Sequence, residues 1–525
     1  MTSVQATSPR TAFLAPTSAS PGAADAPHAK PTPLEDAASK PGSVRTETLP
    51  NGVRIVIAER PGAAATKFQV GIGAGSFQDP AGKLGMAHML EHLSFEGSPT
   101  RTAPQQELLR SKFGNNWNAW TNQSEVVFWG IIPGKQAKLG AELVTDMFQH
   151  PATTGKRVPQ ERAAVENEMV YWDGTLAGQK DDLQMRLLYG DTAATNNVIG
   201  TRKSVDTITS TDLQDFHKQY FVGRNTIALI DGDPKHLELD TIRRELGKLP
   251  AGARVDNTQI LPEVVKGRAL QVVNEDTSGT VDLNVMLPVS SETLDAAGSA
   301  GTIKLLTSAL NSRLNDRLRR NDHLTYGVSA KLEPAADNQS VLHVTTNVAA
   351  PLASKALEDI VATLTDARDG FGPKTLEKDR TELLSRLRTL DPTPAPTTSD
   401  IADAAFTDAL YHPGISVPTA ADLAGPSPRS LAASIGKVTG EQFAHAASSL
   451  VDLANLKVLA IGNLGDGGAQ LLSGLEAAGI GAGTVQLNPV SLATYRDMGI
   501  AVPRNSTPPV KPAAADKAKD AAPAK

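Results

Sequence analysis

The chain lays out one order of elements twice, and that repetition limits its fold more than any other feature. In the first copy an alternating run, Val53-Arg54-Ile55-Val56-Ile57, leads to a second strand pattern over residues 67–73. A helix pattern follows near residues 85–95. A buried-type strand, Asn225-Thr226-Ile227-Ala228-Leu229-Ile230, then runs into Gly232-Asp233 and a helix from about His236. The second copy opens with Leu270-Gln271-Val272-Val273 and a strand over 281–287, continues with a helix over about 297–318, and closes with a strand over 456–461 that ends in Gly462-Asn463. A polar, proline-containing stretch over 248–266 separates the copies. The pattern predicts an α+β protein of two homologous halves, each a mixed or antiparallel sheet with helices packed on one face. A chain of 525 residues is also too long for one core. The expected division is a first half over 43–255, a linker over 256–266 and a second half over 267–503. Residues 1–42 are rich in Ala, Pro, Ser and Thr, and 504–525 in Pro, Ala and Lys; both are predicted to be disordered.

Composition enters mainly through what it excludes. A net charge of −6 gives no case for nucleic acid or an anionic membrane as partner, since those call for a basic patch or stripe. No run approaches 18 apolar residues, so no spanning helix is expected. There is no cysteine, so a metal would have to be held by histidine and carboxylate. Thr11-Ala12-Phe13-Leu14-Ala15 is too short for a signal-peptide core and is closed by Pro16. The sequence thus offers no convincing signal peptide; the compartment stays open, with cytoplasmic favoured over periplasmic. Gly71-Ile72-Gly73-Ala74-Gly75-Ser76 lacks the third glycine of a dinucleotide loop, and no G-x-S-x-G elbow occurs.

Chemistry concentrates in His88-Met89-Leu90-Glu91-His92. On a helix, His88 and His92 share one face and can reach one metal ion, with Glu91 directly before the second ligand. This H-x-x-E-H order reverses the H-E-x-x-H metalloprotease signature. A catalytic zinc takes three protein ligands. The best third candidate lies in residues 161–169 (ERAAVENEM), where Glu161 and Glu168 share a helix face with Val165 while Glu166 points elsewhere. Glu168 could ligate with Glu161 supporting it; taken alone, the segment is equally a solvated acidic helix. The matching helix of the second copy, residues 305–314, carries no histidine pair, so one half holds metal and the other does not.

These residues, with Asn51-Gly52-Val53-Arg54-Ile55, Gly73-Ala74-Gly75-Ser76, the run from Asp79 to His88, and Asn118-Ala119-Trp120-Thr121, resemble the pitrilysin/insulinase family of zinc peptidases over about residues 44–500. The likeness is to its short-chain branch, that of the mitochondrial processing peptidase and the bacterial homodimers. It implies a processing-peptidase-like metallohydrolase fold and a zinc endopeptidase acting on oligopeptides or unfolded polypeptides. One Zn2+ per chain would sit on His88, His92 and Glu168, with Glu91 as the base that deprotonates a zinc-bound water and Glu161 as supporting carboxylate. Arg319 and Tyr326, in Arg319-Arg320-Asn321-Asp322-His323-Leu324-Thr325-Tyr326, match the family's substrate-gripping and oxyanion-donating pair, although His323 stands where the family often has Gly and Thr325 where it commonly has a small residue. Asn118-Ala119-Trp120-Thr121, with the alternation running on to Phe128, reads as a strand next to the site, and Asn118, Ala119, Trp120 and Thr121 would form the edge that binds the substrate backbone. Trp117 and Trp120 are candidates for a side-chain pocket or for core. The family clamshell needs four such halves, so a homodimer is expected, with a heterodimer with an inactive homologue as the alternative. A catalytically silent subunit or peptide-binding scaffold of the same fold is the rival reading.

Overall fold

Twelve strands, among the described residues, form two six-stranded sheets of matching topology. The structure, a computed structural model, describes residues 42–490 apart from 115, 174–175, 191–196, 256–263, 275–278, 335–338, 390–394, 413, 424–426, 466–467 and 482–484. Both tails, most of the expected linker and residues 491–503 therefore lie outside the described residues. In the first sheet the strands are β1 (Ser43–Thr48), β2 (Arg54–Glu59), β3 (Ala65–Ile72), β4 (Trp117–Thr121), β5 (Val126–Pro133) and β6 (Thr226–Gly232). The second contains β7 (Arg268–Asn274), β8 (Thr280–Ser290), β9 (Thr325–Pro334), β10 (Gln339–Ala349), β11 (Lys457–Gly462) and β12 (Val485–Val490). The orders are β1-β2-β6-β3-β5-β4 and β12-β7-β11-β8-β10-β9. Beyond the outermost strand the two correspond throughout: β2 and β6 are parallel, as are β7 and β11, and the remaining shared pairs are antiparallel. The outermost strand differs. β1 opens its half and lies antiparallel to β2, whereas β12 comes last in its half and lies parallel to β7.

Helices follow the same plan. The first half carries α1 (Met86–Leu93), α2 (Ala103–Lys112), α3 (Ala137–Gln149), α4 (Arg157–Asp173), α5 (Leu176–Tyr189), α6 (Arg202–Asp206), α7 (Ser210–Tyr220) and α8 (Leu239–Leu246). The second carries α9 (Ser291–Ala296), α10 (Ala300–Leu314), α11 (Ala353–Arg368), α12 (Pro373–Arg388), α13 (Thr398–Tyr411), α14 (Ala420–Leu423), α15 (Pro428–Gly436), α16 (Gly440–Leu450) and α17 (Ala469–Ala477). Alternation sends Ile55, Ile57, Phe68, Val70 and Phe128 to one face of the first sheet, where they pack with Leu90, Leu93, Val144 and Phe216. Leu270, Val272, Leu283 and Val285 do the same under α10 and α11. No helix among the described residues is long and apolar enough to cross a membrane.

The expectation of helices on one face holds for most helices of each half and misses one in each. The opposite face of the first sheet, with Val56, Val127, Trp129 and Leu229, is covered by Ala402, Ala405, Phe406 and Ala409 of α13, which belongs to the second half of the chain. Conversely, Leu183 and Leu187 of α5 cover Met286, Leu459 and Ile461 on the second sheet. Polar contacts fix both crossings. Lys67 Nζ meets Asp403 Oδ1 at 2.6 Å, Arg60 Nε meets Asp231 Oδ1 at 2.5 Å, and Ser399 donates to Asp231, all beneath α13. On the other side Lys180 pairs with Asp282 at 3.0 Å and Gln184 donates to Asn284 at 3.2 Å. Periodicity shows that a strand is apolar on both faces, as in Val53-Arg54-Ile55-Val56-Ile57, but not which distant helix covers the second face.

A further difference concerns the stretch from Asn118 to Phe128, which reads as one strand in sequence. It is a hairpin: the Asn122 side chain accepts from the backbone N–H groups of Ser124 (2.8 Å) and Glu125 (2.9 Å), the turn chemistry expected of Asn. β4 thereby becomes the free edge of the first sheet, and β9 takes the same place in the second.

Candidate metal centre

The metal helix is set in place before its first turn. Asp79 accepts from the backbone N–H groups of Gly85 (2.7 Å), Ala87 (2.9 Å) and Met86 (3.2 Å), satisfying donors that the start of α1 leaves without intrahelical partners. Burial pushes its carboxyl up to about 7, against the pull of those N–H groups. Gly85 has φ 91°, and a Cβ there would lie 2.5 Å from the Ile199 carbonyl oxygen, so only glycine lets the loop approach so closely. Lys83 reaches Asp212 at 2.8 Å and Ser204 donates to the Leu84 carbonyl at 2.8 Å, fastening the same loop to α6 and α7. Asp79→Ala should destabilise the protein by roughly 1–3 kcal/mol, the cost of leaving buried donors unsatisfied, and should weaken metal binding in parallel. Urea unfolding and a zinc titration would check this. Asp79→Asn, which keeps an acceptor, should lose less.

Met86, Met89, Leu90 and Leu93 of α1 face the core. The next face of the helix carries His88 and His92, with ring centroids 4.7 Å apart. They meet α4, whose Val158, Val165 and Met169 are buried in the same core. Arg157 pairs with Glu96 at 2.6 Å, and Arg162 donates to the carbonyls of Val205 (3.2 Å) and Ile208 (2.8 Å). With α4 held this way, Glu161 and Glu168 both point at α1, and Glu166 turns aside toward Arg202 at 3.8 Å.

Glu168 Oε2 lies 3.6 Å from His88 Nε2 and 3.1 Å from His92 Nε2. Among the described residues His88, His92 and Glu168 form one group whose ligand atoms lie within 4.8 Å of one another. Donors bound tetrahedrally to zinc at about 2.0–2.1 Å would stand roughly 3.3 Å apart, so the three fit one ion. On the far side of His92, Nδ1 lies 3.3 Å from Glu161 Oε2, the carboxylate–imidazole contact that fixes ring orientation in metal sites. Burial pushes the His92 imidazole down, but its hydrogen bonds to Glu161 and Glu168 and the charges of Glu91 and Glu168 outweigh this and hold it up at about 10. Three carboxylates gathered on two imidazoles make a site suited to a divalent cation.

Glu91 is buried, and its Oε2 accepts from Thr121 Oγ1 at 2.5 Å. β4 places Trp117, Ala119 and Thr121 on the side of α1, and Asn118 and Trp120 on the opposite side. Ala119 is buried, Asn118 and Thr121 are half-buried. Both tryptophans are core residues: Trp117 packs edge-on against Phe95, and Trp120 lies under α13 with its indole N–H on Glu125 at 2.9 Å. The Glu91–Thr121 contact and the Asp79 anchor are the features that sequence reasoning missed. An acid six residues before a glycine-led helix start was the signal for Asp79; strand alternation was the signal for Thr121.

Arg319 and Tyr326 are not members of this group. α10 continues as a π-helical turn over Asn315–Asn321 that carries Arg319, and Tyr326 follows at the start of β9. The Arg319 guanidinium stands over the Tyr326 ring, 5.3 Å from its centre. Tyr326 is 91% exposed, and among the described residues neither side chain bonds to the metal group. A β-bulge presents the tyrosine: β9 and β10 pair Val328 with Thr346 and Thr325 with Val348, leaving Tyr326 and Gly327 opposite Asn347. Thr325 Oγ1 braces it by donating to the Asn347 carbonyl at 2.8 Å. His323 has φ 52°, a conformation in which glycine is at ease.

The family described as Insulinase (Peptidase family M16) matches residues 54–201, and the one described as Peptidase M16 inactive domain matches 207–383. An uncharacterised zinc protease of Mycobacterium bovis is 28% identical over 341 residues, covering 62% of this chain and 75% of that protein. The mitochondrial-processing peptidase subunit beta of Blastocladiella emersonii is 25% identical over 206 residues, covering 39% of this chain and 44% of its own. Among solved structures, the first half of the periplasmic protease PqqL from Escherichia coli superposes with a TM-score of 0.64 at 19% identity, over 84% of this chain and 98% of that one. Pitrilysin does so with a TM-score of 0.59 at 18% identity, over 85% of this chain and 50% of that one. With its two homologous halves and both family segments in order, the chain belongs to the insulinase family of peptidases, family M16.

Proposed function

We propose that this protein is a zinc-dependent endopeptidase that cleaves oligopeptides or unfolded polypeptides. The observation that carries the reading is the convergence of His88, His92 and Glu168, whose ligand atoms lie within 4.8 Å of one another, with a buried Glu91 on the same helix as the two histidines. The relatives named as zinc proteases support both the metal and the reaction class. Bound zinc would supply Lewis acidity, making a water nucleophilic near neutral pH and polarising the scissile carbonyl. His88, His92 and Glu168 hold it; Glu161 orients His92 through Nδ1. Glu91 takes the proton from the attacking water and returns it to the leaving amine as the C–N bond breaks. The free edge of β4 binds the substrate main chain, which selects for extended peptide over folded protein.

Arg319 and Tyr326 serve the site of a second copy. Their exposure, and their lying outside the group of metal-ligating side chains among the described residues, favour a homodimer in which the second half of each chain completes the site of the other. The first half, residues 43–255, is the catalytic unit, and 267–503 is the unit that supplies the Arg/Tyr pair.

Incubation with a mixed set of unstructured peptides should yield internal cleavage, read by mass spectrometry, that 1,10-phenanthroline abolishes and zinc restores. Intact peptides with a zinc-loaded protein would assign it instead to a silent subunit or a peptide-binding scaffold.

A further inference from the structure

We infer that Thr121 is a positioning residue for Glu91: its hydroxyl holds one carboxylate oxygen and so fixes the direction in which the base points. The inference rests on the endopeptidase reading above and goes beyond it by naming what aims the base. Thr121 Oγ1 donates to Glu91 Oε2 at 2.5 Å, a charge-assisted bond at the short end of its range. Glutamate has three rotatable side-chain bonds, so aiming its carboxylate in one direction costs rotamer entropy. On α1, the core anchors the backbone of Glu91 through its neighbours Leu90 and Leu93, and the hydroxyl of Thr121 meets the carboxylate at the far end of the side chain.

The donor is well suited to make that choice. Threonine is β-branched and stiff at χ1 in a strand, so its hydroxyl has few directions to take. Its backbone is pinned where β4 ends: Thr121 pairs with Val126, and the next residue, Asn122, donates its N–H to the Glu125 carbonyl at 2.9 Å and closes the turn with its side chain. Alternation along β4 then determines which residue can reach α1. Trp117 and Ala119 face the same side and fill the core, and Thr121 is the next residue on that side, where the strand comes alongside Glu91. Asn118 and Trp120 point the other way, so neither could replace it. One residue thus belongs to two parts of the site: its main chain to the edge proposed to bind substrate, its side chain to the base. A base displaced by about 1 Å loses on the order of a hundredfold in rate without any change in substrate binding.

The test compares Thr121→Val, which keeps shape and branching but removes the donor, with Thr121→Ser, which keeps the donor and removes the methyl group. Zinc content, melting temperature and steady-state constants on a cleaved peptide are measured for both. Thr121→Val should keep zinc and melting temperature, lower kcat by roughly 10- to 100-fold and leave KM unchanged, and Thr121→Ser should recover most of that loss. Wild-type kcat in Thr121→Val overturns the inference, as does a Thr121→Ser variant no better than valine, or a kcat loss that tracks lost zinc or lost stability. If the wild type cleaves nothing, the endopeptidase reading fails separately. Crystal structures of the zinc-loaded wild type and Thr121→Val then decide: Glu91 leaving its rotamer in the variant supports the positioning role, and an unmoved Glu91 overturns it.

Discussion

Glu91→Gln should retain zinc, fold and oligomeric state and lose peptide hydrolysis by roughly 10²–10⁴-fold, the span that general-base catalysis contributes. The change is nearly isosteric. The amide oxygen can still accept from Thr121, and the buried environment of the side chain loses a charge rather than gaining one. His88, His92 and Glu168 are untouched, so metal content measured by atomic emission should match the wild type. An amide cannot accept a proton from water, so the loss should fall on kcat with KM little changed. Turnover at the wild-type rate in a zinc-loaded variant would sink the assignment of Glu91 as base. Loss of zinc would show instead that Glu91 matters to the metal site itself.

The second large effect belongs to Tyr326. Removing its hydroxyl by Tyr326→Phe should lower kcat by roughly 10²–10³-fold, as for loss of an oxyanion donor, with zinc and stability unchanged because the side chain is almost wholly exposed. A surface tyrosine with no role in catalysis would tolerate the change without effect. The sharper experiment mixes the two variants. Co-expression of differently tagged Glu91→Gln and Tyr326→Phe chains gives heterodimers in which one site has both defects and the other has neither. If the pair acts across the dimer, random association restores about one quarter of wild-type activity from two inactive parents. A mixture as inactive as its parents would place Tyr326 in the site of its own chain and remove the case for a shared centre. Light scattering on each preparation fixes the oligomeric state on which the calculation depends.

Much of the site was legible in sequence because its chemistry is local. His88 and His92 meet through helix periodicity, and Glu161 and Glu168 come to one face by the same rule, so spacing alone proposed a set of side chains that the structure brings within 3.1–3.6 Å. Strands of the two copies were legible where apolar alternation was strong, as in β2, β3, β7 and β8. What spacing could not show was anything set by tertiary approach: that Asn122 breaks the run after Thr121 into a hairpin, that Thr121 ends on Glu91, or that Asp79 closes the start of α1. β10, with His343 and Asn347 among its apolar residues, carries too mixed a pattern to stand out. The bulge at Tyr326 is a matter of register, which a single strand does not encode.

The reciprocal crossing of α5 and α13 bears on how such a chain could have arisen and how it can be divided. Two copies of a single half that each lend one helix to the other make a domain-swapped pair, a closed arrangement available to identical subunits. Joining them in one polypeptide removes the demand for identity: one copy can keep the histidines while the matching helix of the other carries none. It also means that a cut between the sheets does not yield two self-sufficient pieces. Each fragment would carry a helix with an apolar stripe and no surface to meet, and a sheet face stripped of its cover, until its counterpart arrived.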